Sequence, residues 1–251
     1  MDDRKDKVFS QPLPQVKPFE FNENVAHVFD DMADRSIPFY GQVEQMTASL
    51  AATFWQDDTA VYDLGCSTAT CSLLVYDELR KQRGIVPEGF EIQAVDSSAP
   101  MCIEAKEKVR SRGIDPGVIH VRHGDILDMD IKNASVVIMN YTLQFIPPLK
   151  RETLIRKIAD GLCDNGVLLV SDKTLQNHTD VSRIFIDKYY DYKRSRGYSE
   201  LEISQKREAL ENVLIPYHIK EEEDLFLKCG FDTADIYFSW YNFTSYVCVK
   251  R

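Results

Sequence analysis

Four predicted strands in the first part of the chain end in polar side chains that could bind a ligand. Residues 60–71, AVYDLGCSTATC, predict a strand that reaches Asp63, a break at Gly65 and the start of a helix. The three strands that follow end at Asp96, Asp125 and Asn140. An open α/β sheet binds its ligands at the carboxyl ends of its strands. We therefore expect these groups to line one crevice, although each alone would also suit a helix cap or a turn.

The turn after the first strand narrows the kind of ligand. A dinucleotide site places the backbone against a pyrophosphate and needs several glycines, whereas GCSTAT offers only Gly65. S-adenosylmethionine has no phosphate, and it needs acceptors for its ribose diol, a partner for its adenine and polar groups for its amino-acid end. Asp96, Asp125 and the turn from Asp63 to Ser67 supply such groups. The sequence therefore favours S-adenosylmethionine over NAD.

Composition limits the remaining possibilities. The 251 residues are 44% hydrophobic, enough for one substantial core, and the net charge of −10 argues against a general nucleic-acid surface. The six cysteines form no CxxC pair and the five histidines have no ligand spacing, which predicts reduced thiols, a cytoplasmic setting and no metal. Residues 1–20 are charged and contain prolines, so we expect a flexible tail rather than a signal peptide or a membrane anchor.

The order of predicted elements indicates the fold. From residue 41 onward, helical and strand patterns alternate, which predicts an α/β fold with a doubly wound, mostly parallel sheet covered by helices on both faces. The last residues, DIYFSWYNFTSYVCVKR, predict an antiparallel hairpin with a tight turn at Asn242 and Phe243. Residues 21–251 are thus expected to form a single domain.

A segment inserted at about residues 178–217 departs from the minimal fold. It predicts two helices broken at Gly197, and the second opens with a capping box, Ser199-x-x-Glu202. One interpretation is a solvated helical hairpin, and the other is a lid whose arginine reaches a carboxylate substrate. The first helix also carries an apolar and aromatic run that one face cannot bury, so we expect a homodimer. That run consists of Ile184, Phe185, Ile186, Tyr189, Tyr190 and Tyr192.

Four runs of the sequence resemble the carboxy-S-adenosyl-L-methionine synthase family, which is related to the class I methyltransferases. They are VFDDMADRSIPFY, VYDLGCS, NYTLQF and the long run GYSELEISQKREALENV. The resemblance covers nearly the whole chain and implies a class I methyltransferase-like, Rossmann-like fold. It also implies a transferase that converts S-adenosyl-L-methionine and prephenate to carboxy-S-adenosyl-L-methionine and phenylpyruvate. A partner enzyme, a tRNA carboxymethyltransferase, would then use the product to modify the wobble uridine of tRNA.

The resemblance also implies site residues. Arg207 would hold the added carboxylate, and Arg207 and Tyr40 are the catalytic candidates. One departure from the family pattern is Ser97, which stands where the family usually has asparagine. No direct contact with nucleic acid or membrane is expected. The residues implied to contact the adenosylmethionine moiety are Tyr40, Gly65, Cys66, Ser67, Asp96, Ser97, Asp125, Ile126 and Asn140.

Two other functions remain open at this stage. Asn140 is followed by Tyr141 and Thr142 rather than by the Pro-Pro-aromatic run typical of methyltransferases that act on amide or adenine nitrogen, and no general base stands beside it in the sequence. A conventional methyltransferase for a small acidic acceptor would nevertheless share every cofactor residue. A non-catalytic, methyltransferase-like binding subunit would share them too.

Overall fold

The computed structural model describes residues 4–251. Its centre is an eight-stranded mixed sheet, and helices pack against this sheet. Seven strands run in the order β3-β2-β1-β4-β5-β8-β7, and β6 pairs with β5 off this path. The pairs among β1 to β5 are parallel, and β8 is antiparallel to both β5 and β7. The strands are β1 (Ala60–Leu64), β2 (Glu91–Asp96), β3 (Ile119–His123), β4 (Ala134–Asn140), β5 (Leu162–Leu175), β6 (Tyr217–His218), β7 (Thr233–Trp240) and β8 (Phe243–Val249).

Helices cover both faces of the sheet. Apolar residues of β4 alternate between the two faces, since Val136 and Ile138 pack in one core cluster, whereas Val137 and Met139 pack in the other. The first cluster also takes residues of α2, α3 and α4, and the second takes residues of α5 and α8. The helices are α1 (Glu23–Ser36), α2 (Tyr40–Phe54), α3 (Thr70–Arg83), α4 (Ala99–Ser111), α5 (Pro148–Gly161), α6 (Thr179–Ser195), α7 (Glu200–Leu210) and α8 (Ile219–Lys228). The predicted doubly wound sheet with a terminal antiparallel pair is confirmed.

The strand order places a crevice at the middle of the sheet. The chain moves outward from β1 to β2 and β3 and then returns to β4 on the other side of β1. At such a reversal the connections leave the strand ends in opposite directions, and a ligand site opens between them. The carboxyl ends of β1, β2 and β4 therefore meet where the sequence predicts the binding groups.

Two predicted ends differ slightly from the observed ones. The terminal hairpin turns at Tyr241 and Asn242, because Trp240 pairs with Phe243 and Tyr241 takes a left-handed conformation with φ 45°. This turn lies one residue before the predicted one. β3 ends at His123, so Asp125 lies in the loop that follows the strand rather than on it.

The inserted segment forms the two predicted helices. Gly197 lies between α6 and α7 with φ 86°. Ser199 and Glu202 form the capping box, in which the Ser199 N–H donates to the Glu202 carboxylate at 2.8 Å and the Glu202 N–H donates to the Ser199 hydroxyl at 3.3 Å.

The first twenty residues differ from the expected flexible tail wherever the structure describes them, from residue 4 on. Asp6, Phe9 and Phe19 are buried. The Gln205 side chain on α7 donates to the carbonyl oxygens of Phe9 and Gln11 at 2.9 Å each. Phe9 and Phe19 join an apolar cluster with residues of α1. The segment therefore packs through scattered phenylalanines, which form no periodic pattern in the sequence.

Candidate active site

A cavity of about 420 Å³ opens at the carboxyl ends of the strands, under α6 and α7. Residues from the strand ends, from α1 and α2 and from the inserted helices line it together. Every site residue implied by the sequence is among them. These are Tyr40, Gly65, Cys66, Ser67, Asp96, Ser97, Asp125, Ile126, Asn140 and Arg207. The structure thus brings the whole set to one place, while the role of each residue stays a prediction.

The turn after β1 forms the tightest part of the cavity wall. Gly65 has φ 79°, and a Cβ at this position would overlap the side chain of Thr142. Ser67 and Ala69 are also left-handed, with φ 46° and 60°. Such conformations are costly for residues other than glycine and concentrate at functional sites. The turn is therefore held in a shape that brings its backbone up to the cavity.

Asp96 anchors this turn. Its carboxylate accepts hydrogen bonds from the main-chain N–H groups of Ser67 at 2.9 Å and Ser98 at 2.8 Å. Burial raises the pKa of the Asp96 carboxyl, although both main-chain hydrogen bonds oppose the shift. A carboxylate with spare lone pairs can still accept from a ribose diol.

Glu44 is a cavity residue that the sequence analysis missed. It lies on α2, one turn after Tyr40, and is 2% exposed. Its Oε1 accepts a hydrogen bond from Asn140 Nδ2 at 3.4 Å. Burial is the main cause, and the nearby Asp63 carboxylate the second, of a rise in the pKa of Glu44 to about 7. The i, i+4 spacing from Tyr40 could have placed Glu44 on the same helix face.

A second buried carboxyl lies behind Glu44. Asp63, at the end of β1, accepts a hydrogen bond from Ser72 Oγ at 2.6 Å. Burial raises the pKa of Asp63 to about 6. Glu44 Oε2 and Asn140 Oδ1 are buried and have no hydrogen-bond partner among the described residues. These oxygens are therefore available as acceptors beside the predicted ligand contacts.

Aromatic rings form part of the remaining wall. The centroids of Tyr40 and Tyr141 lie 6.1 Å apart, and those of Tyr189 and Phe243 lie 5.1 Å apart. Phe21 and Phe145 make a further edge contact at 5.4 Å. Such a wall excludes water and strengthens any electrostatic contact made inside it.

Charge is divided between two sides of the cavity. Most acidic lining residues, namely Glu44, Asp63, Asp96 and Asp125, belong to α2, to the ends of β1 and β2 and to the loop after β3. Glu211, just after α7, is the exception. The basic ones belong to β5, α6 and α7, and they are Lys173, Lys193, Lys206 and Arg207. Arg207 is solvent-exposed at the rim and makes no hydrogen bond or ion pair with another described residue.

Arg35, which the sequence places near Tyr40, has a structural position outside the cavity. Its side chain donates to the carbonyl oxygen of Arg196 at 2.9 Å and to that of Asp6 at 3.2 Å. It also pairs with Asp31 at 3.2 Å and lies 4.1 Å from the ring centroid of Tyr198. Arg35 therefore joins the N-terminal segment, α1 and the loop between α6 and α7.

Residues 4–251 contain neither a metal-binding cluster nor a membrane-crossing helix. No group of three or more histidine, cysteine, aspartate or glutamate side chains has an arrangement that could hold a metal ion. None of the described helices combines the length and apolar character needed to cross a membrane.

Comparison with known proteins gives consistent matches. A family profile described as "Methyltransferase domain" matches residues 61–166. A carboxy-S-adenosyl-L-methionine synthase from Nautilia profundicola is 42% identical over 246 residues, which cover 98% of this chain and 100% of the relative. Another protein of that name, from Desulfotalea psychrophila, is 43% identical over 252 residues and covers 100% of this chain and 99% of the relative.

Solved structures show the same fold at low sequence identity. A putative O-methyltransferase from Nostoc punctiforme has a TM-score of 0.61 and 19% identity, over 91% of this chain and 59% of that one. A putative S-adenosyl-L-methionine-dependent methyltransferase from Methanococcus maripaludis has a TM-score of 0.59 and 17% identity, over 95% of this chain and 97% of that one. At these identities the likeness concerns the fold alone.

Proposed function

This chain belongs to the carboxy-S-adenosyl-L-methionine synthase family, and we propose that it makes carboxy-S-adenosyl-L-methionine from S-adenosyl-L-methionine and prephenate. The second product would be phenylpyruvate. The proposal depends on one observation: a single cavity has an acidic side suited to S-adenosyl-L-methionine and a basic side suited to a carboxylate substrate.

The acidic side suits S-adenosyl-L-methionine. Asp96 and the turn at Gly65 lie at the reversal of the strand order, where a ribose diol and the amino-acid end of the ligand can meet acceptors and main-chain N–H groups. The sulfonium group is a cation, and the Glu44 carboxyl, whose Oε1 accepts a hydrogen bond from Asn140 Nδ2 at 3.4 Å, lies beside this predicted contact. Bound S-adenosyl-L-methionine supplies an acidic methyl group next to its sulfur.

The reaction balances without an added oxidant or reductant. Prephenate gives up carbon dioxide and a hydroxide equivalent as it becomes phenylpyruvate. The hydroxide takes a proton from the sulfonium methyl and leaves as water, and the methyl carbon forms its new bond with carbon dioxide. The chain needs to hold both reactants together and to exclude water, which the aromatic walls do.

Arg207 is the residue assigned to the new carboxylate. Its guanidinium stays charged and can bind a carboxylate through two parallel hydrogen bonds. It lines the cavity from α7 and has no competing carboxylate partner among the described residues. An exposed arginine binds more strongly once water is excluded, so lid closure or a neighbouring subunit would strengthen this contact.

A homodimer belongs to the same proposal. Of the apolar and aromatic run on α6, Ile184 is 53% exposed whereas Tyr189 is buried. Phe39 and Tyr241, which both contact Trp240, are 45% and 39% exposed. Sedimentation at micromolar concentration should give about twice the chain mass, and a fully active monomer would contradict the dimer. The product would pass to a tRNA carboxymethyltransferase, with no direct contact between this chain and nucleic acid.

The proposal is tested by identifying the product. Purified protein is incubated with S-adenosyl-L-methionine, with and without prephenate, and the small molecules are analysed by mass spectrometry. Phenylpyruvate and a carboxylated adenosylmethionine should form together, and only when both substrates are present. Formation of S-adenosylhomocysteine with a methylated acceptor would instead indicate a conventional methyltransferase, and no turnover at all would favour a binding subunit.

A further inference from the structure

Two lysines in the cavity form no ion pair within residues 4–251, although the Asp6 carboxylate acts on Lys193 at longer range. Lys173 lies near the end of β5, and Lys193 lies in the last turn of α6 and is 4% exposed. Their Nζ atoms lie 4.9 Å and 4.6 Å from the ring centroid of Tyr189. Within residues 4–251, neither ammonium group makes a hydrogen bond or an ion pair. Burial lowers the pKa of Lys173 to about 8, and burial together with Lys206 and Lys173 lowers the pKa of Lys193 well below its ordinary value.

Lys206, the third lysine of the cavity, differs from this pair. It is 6% exposed, but its Nζ donates to Ser36 Oγ at 2.8 Å and lies 3.9 Å from Asp6 Oδ2. It also lies 5.6 Å from the ring centroid of Tyr198. Lys206 therefore has structural partners in Asp6 and Ser36, although burial lowers its pKa to about 8.

Two neighbouring ammonium groups that form no ion pair are unfavourable where both are desolvated. Burial penalises each charge, and two like charges near one ring repel each other. Bound S-adenosyl-L-methionine increases this repulsion, because its sulfonium and ammonium groups and its single carboxylate leave it with a net positive charge. An anion beside the lysines would relieve both penalties. The pair therefore points to the second substrate rather than to S-adenosyl-L-methionine.

We propose that Lys173 and Lys193 bind the carboxylate that a dicarboxylate substrate keeps after the reaction, next to the ring of Tyr189. This inference rests on the proposed function, in which one substrate carboxylate is lost to the adenosylmethionine product and the other stays on the keto-acid product. Arg207 is assigned to the carboxylate that is transferred. Of the other basic residues that line the cavity, only Lys173 and Lys193 lack an internal partner, so they are the groups left for the carboxylate that stays.

The test compares the double variant Lys173→Met/Lys193→Met with wild type. The KM for prephenate should rise at least tenfold, and the inhibition constant of phenylpyruvate should rise by a similar factor because that product retains the bound carboxylate. Affinity for S-adenosyl-L-methionine, measured by calorimetry, should change less than twofold. The thermal midpoint should stay at or above that of wild type, because two unpaired buried charges have been removed.

Two further variants sharpen the test. Lys193→Arg keeps the positive charge and should leave the KM for prephenate within about threefold of wild type. Lys188→Met is the matched control, since Lys188 lies on the same helix, is exposed and pairs with Asp191 at 3.6 Å. It should leave the KM for prephenate and the phenylpyruvate inhibition constant unchanged.

The outcomes separate the two proposals. Unchanged KM and inhibition constants in the double variant would overturn the lysine assignment, and so would an equal loss of S-adenosyl-L-methionine affinity. A fall in kcat with both constants unchanged would overturn it as well. If wild type makes no carboxylated product, the proposed function fails, and direct titration of phenylpyruvate into wild type and double variant still decides whether these lysines bind a carboxylate.

Discussion

Asp96 accepts a hydrogen bond from the main-chain N–H of Ser67 at 2.9 Å and so joins the end of β2 to the turn after β1. The two strands are neighbours in the sheet, with Leu64 paired to Val95. The carboxylate thus fixes the turn that forms one wall of the cavity, and it lies where a ribose diol is expected.

Asp96→Ala should weaken the binding of S-adenosyl-L-methionine and of carboxy-S-adenosyl-L-methionine by a similar factor, because both ligands carry the same ribose. Loss of a charge-assisted hydrogen bond costs about 1.5–3 kcal/mol, or roughly ten- to a hundredfold in affinity. Calorimetry with each ligand measures the change. Asp115→Ala is the control, since Asp115 accepts a main-chain N–H, that of Gly117, at 2.7 Å outside the cavity. Unchanged affinity would remove Asp96 from the ribose site.

Gly65→Ala should cost more stability than Gly84→Ala, although both glycines are left-handed, with φ 79° and 78°. A Cβ at Gly84 would meet nothing within 4 Å, so its replacement should cost only the backbone strain of about 1–2 kcal/mol. At Gly65 the clash with Thr142 should add about 1–3 kcal/mol. Urea unfolding measures both, and equal costs would show that the clash relaxes freely. S-adenosyl-L-methionine affinity should fall only in the Gly65 variant.

Glu44→Gln should flatten the pH dependence of stability. The pKa of Glu44 is about 7 in the folded protein, above the value of about 4.3 expected when unfolded. The folded state therefore binds more protons than the unfolded state between these pKa values, and the free energy of unfolding falls as pH rises through this range. Removing the carboxyl should lessen the fall between pH 5 and pH 8 by about 2–3 kcal/mol.

Urea unfolding at a series of pH values tests this, with the exposed Glu88→Gln as control. Part of the fall should persist, because burial also raises the pKa of Asp63 to about 6 and that of Glu222 to about 8. Parallel curves for wild type and Glu44→Gln would contradict the predicted role of Glu44.

Arg207→Ala should leave the binding of S-adenosyl-L-methionine nearly unchanged. It should weaken the binding of carboxy-S-adenosyl-L-methionine by about ten- to a hundredfold and suppress turnover with prephenate. Arg207→Lys should rescue only in part, because an ammonium keeps the charge but loses the planar fork. Arg156→Ala, on the surface of α5, is the control. Equal losses for both ligands would show that Arg207 does not select the carboxylate.

The site residues at the strand ends could be predicted from the sequence for a physical reason. Strands that end in a polar group must present it at the carboxyl edge, and β1, β2 and β4 end within one residue of Asp63, Asp96 and Asn140. The βαβ alternation then determines that these edges meet.

The positions of the buried lysines, of Glu44 and of the N-terminal segment could not be predicted from the sequence in the same way. Lys173 and Lys193 have the same residue type as the exposed lysines around them, and only tertiary packing shows that they are desolvated and unpartnered. Glu44 lies between two exposed glutamines of α2, so its burial depends on the packing of that helix against β4. The N-terminal segment packs through isolated phenylalanines that carry no periodic signal.

The central claim is that a carboxyl group is added to the sulfonium methyl carbon rather than the methyl group being transferred. S-adenosyl-L-methionine whose methyl group carries three deuterium atoms distinguishes the two when it is incubated with the protein and prephenate and analysed by mass spectrometry. We expect a carboxylated adenosylmethionine that retains two of the three deuterium atoms, formed in equal amount with phenylpyruvate. S-adenosylhomocysteine together with an acceptor that carries all three deuterium atoms would contradict it.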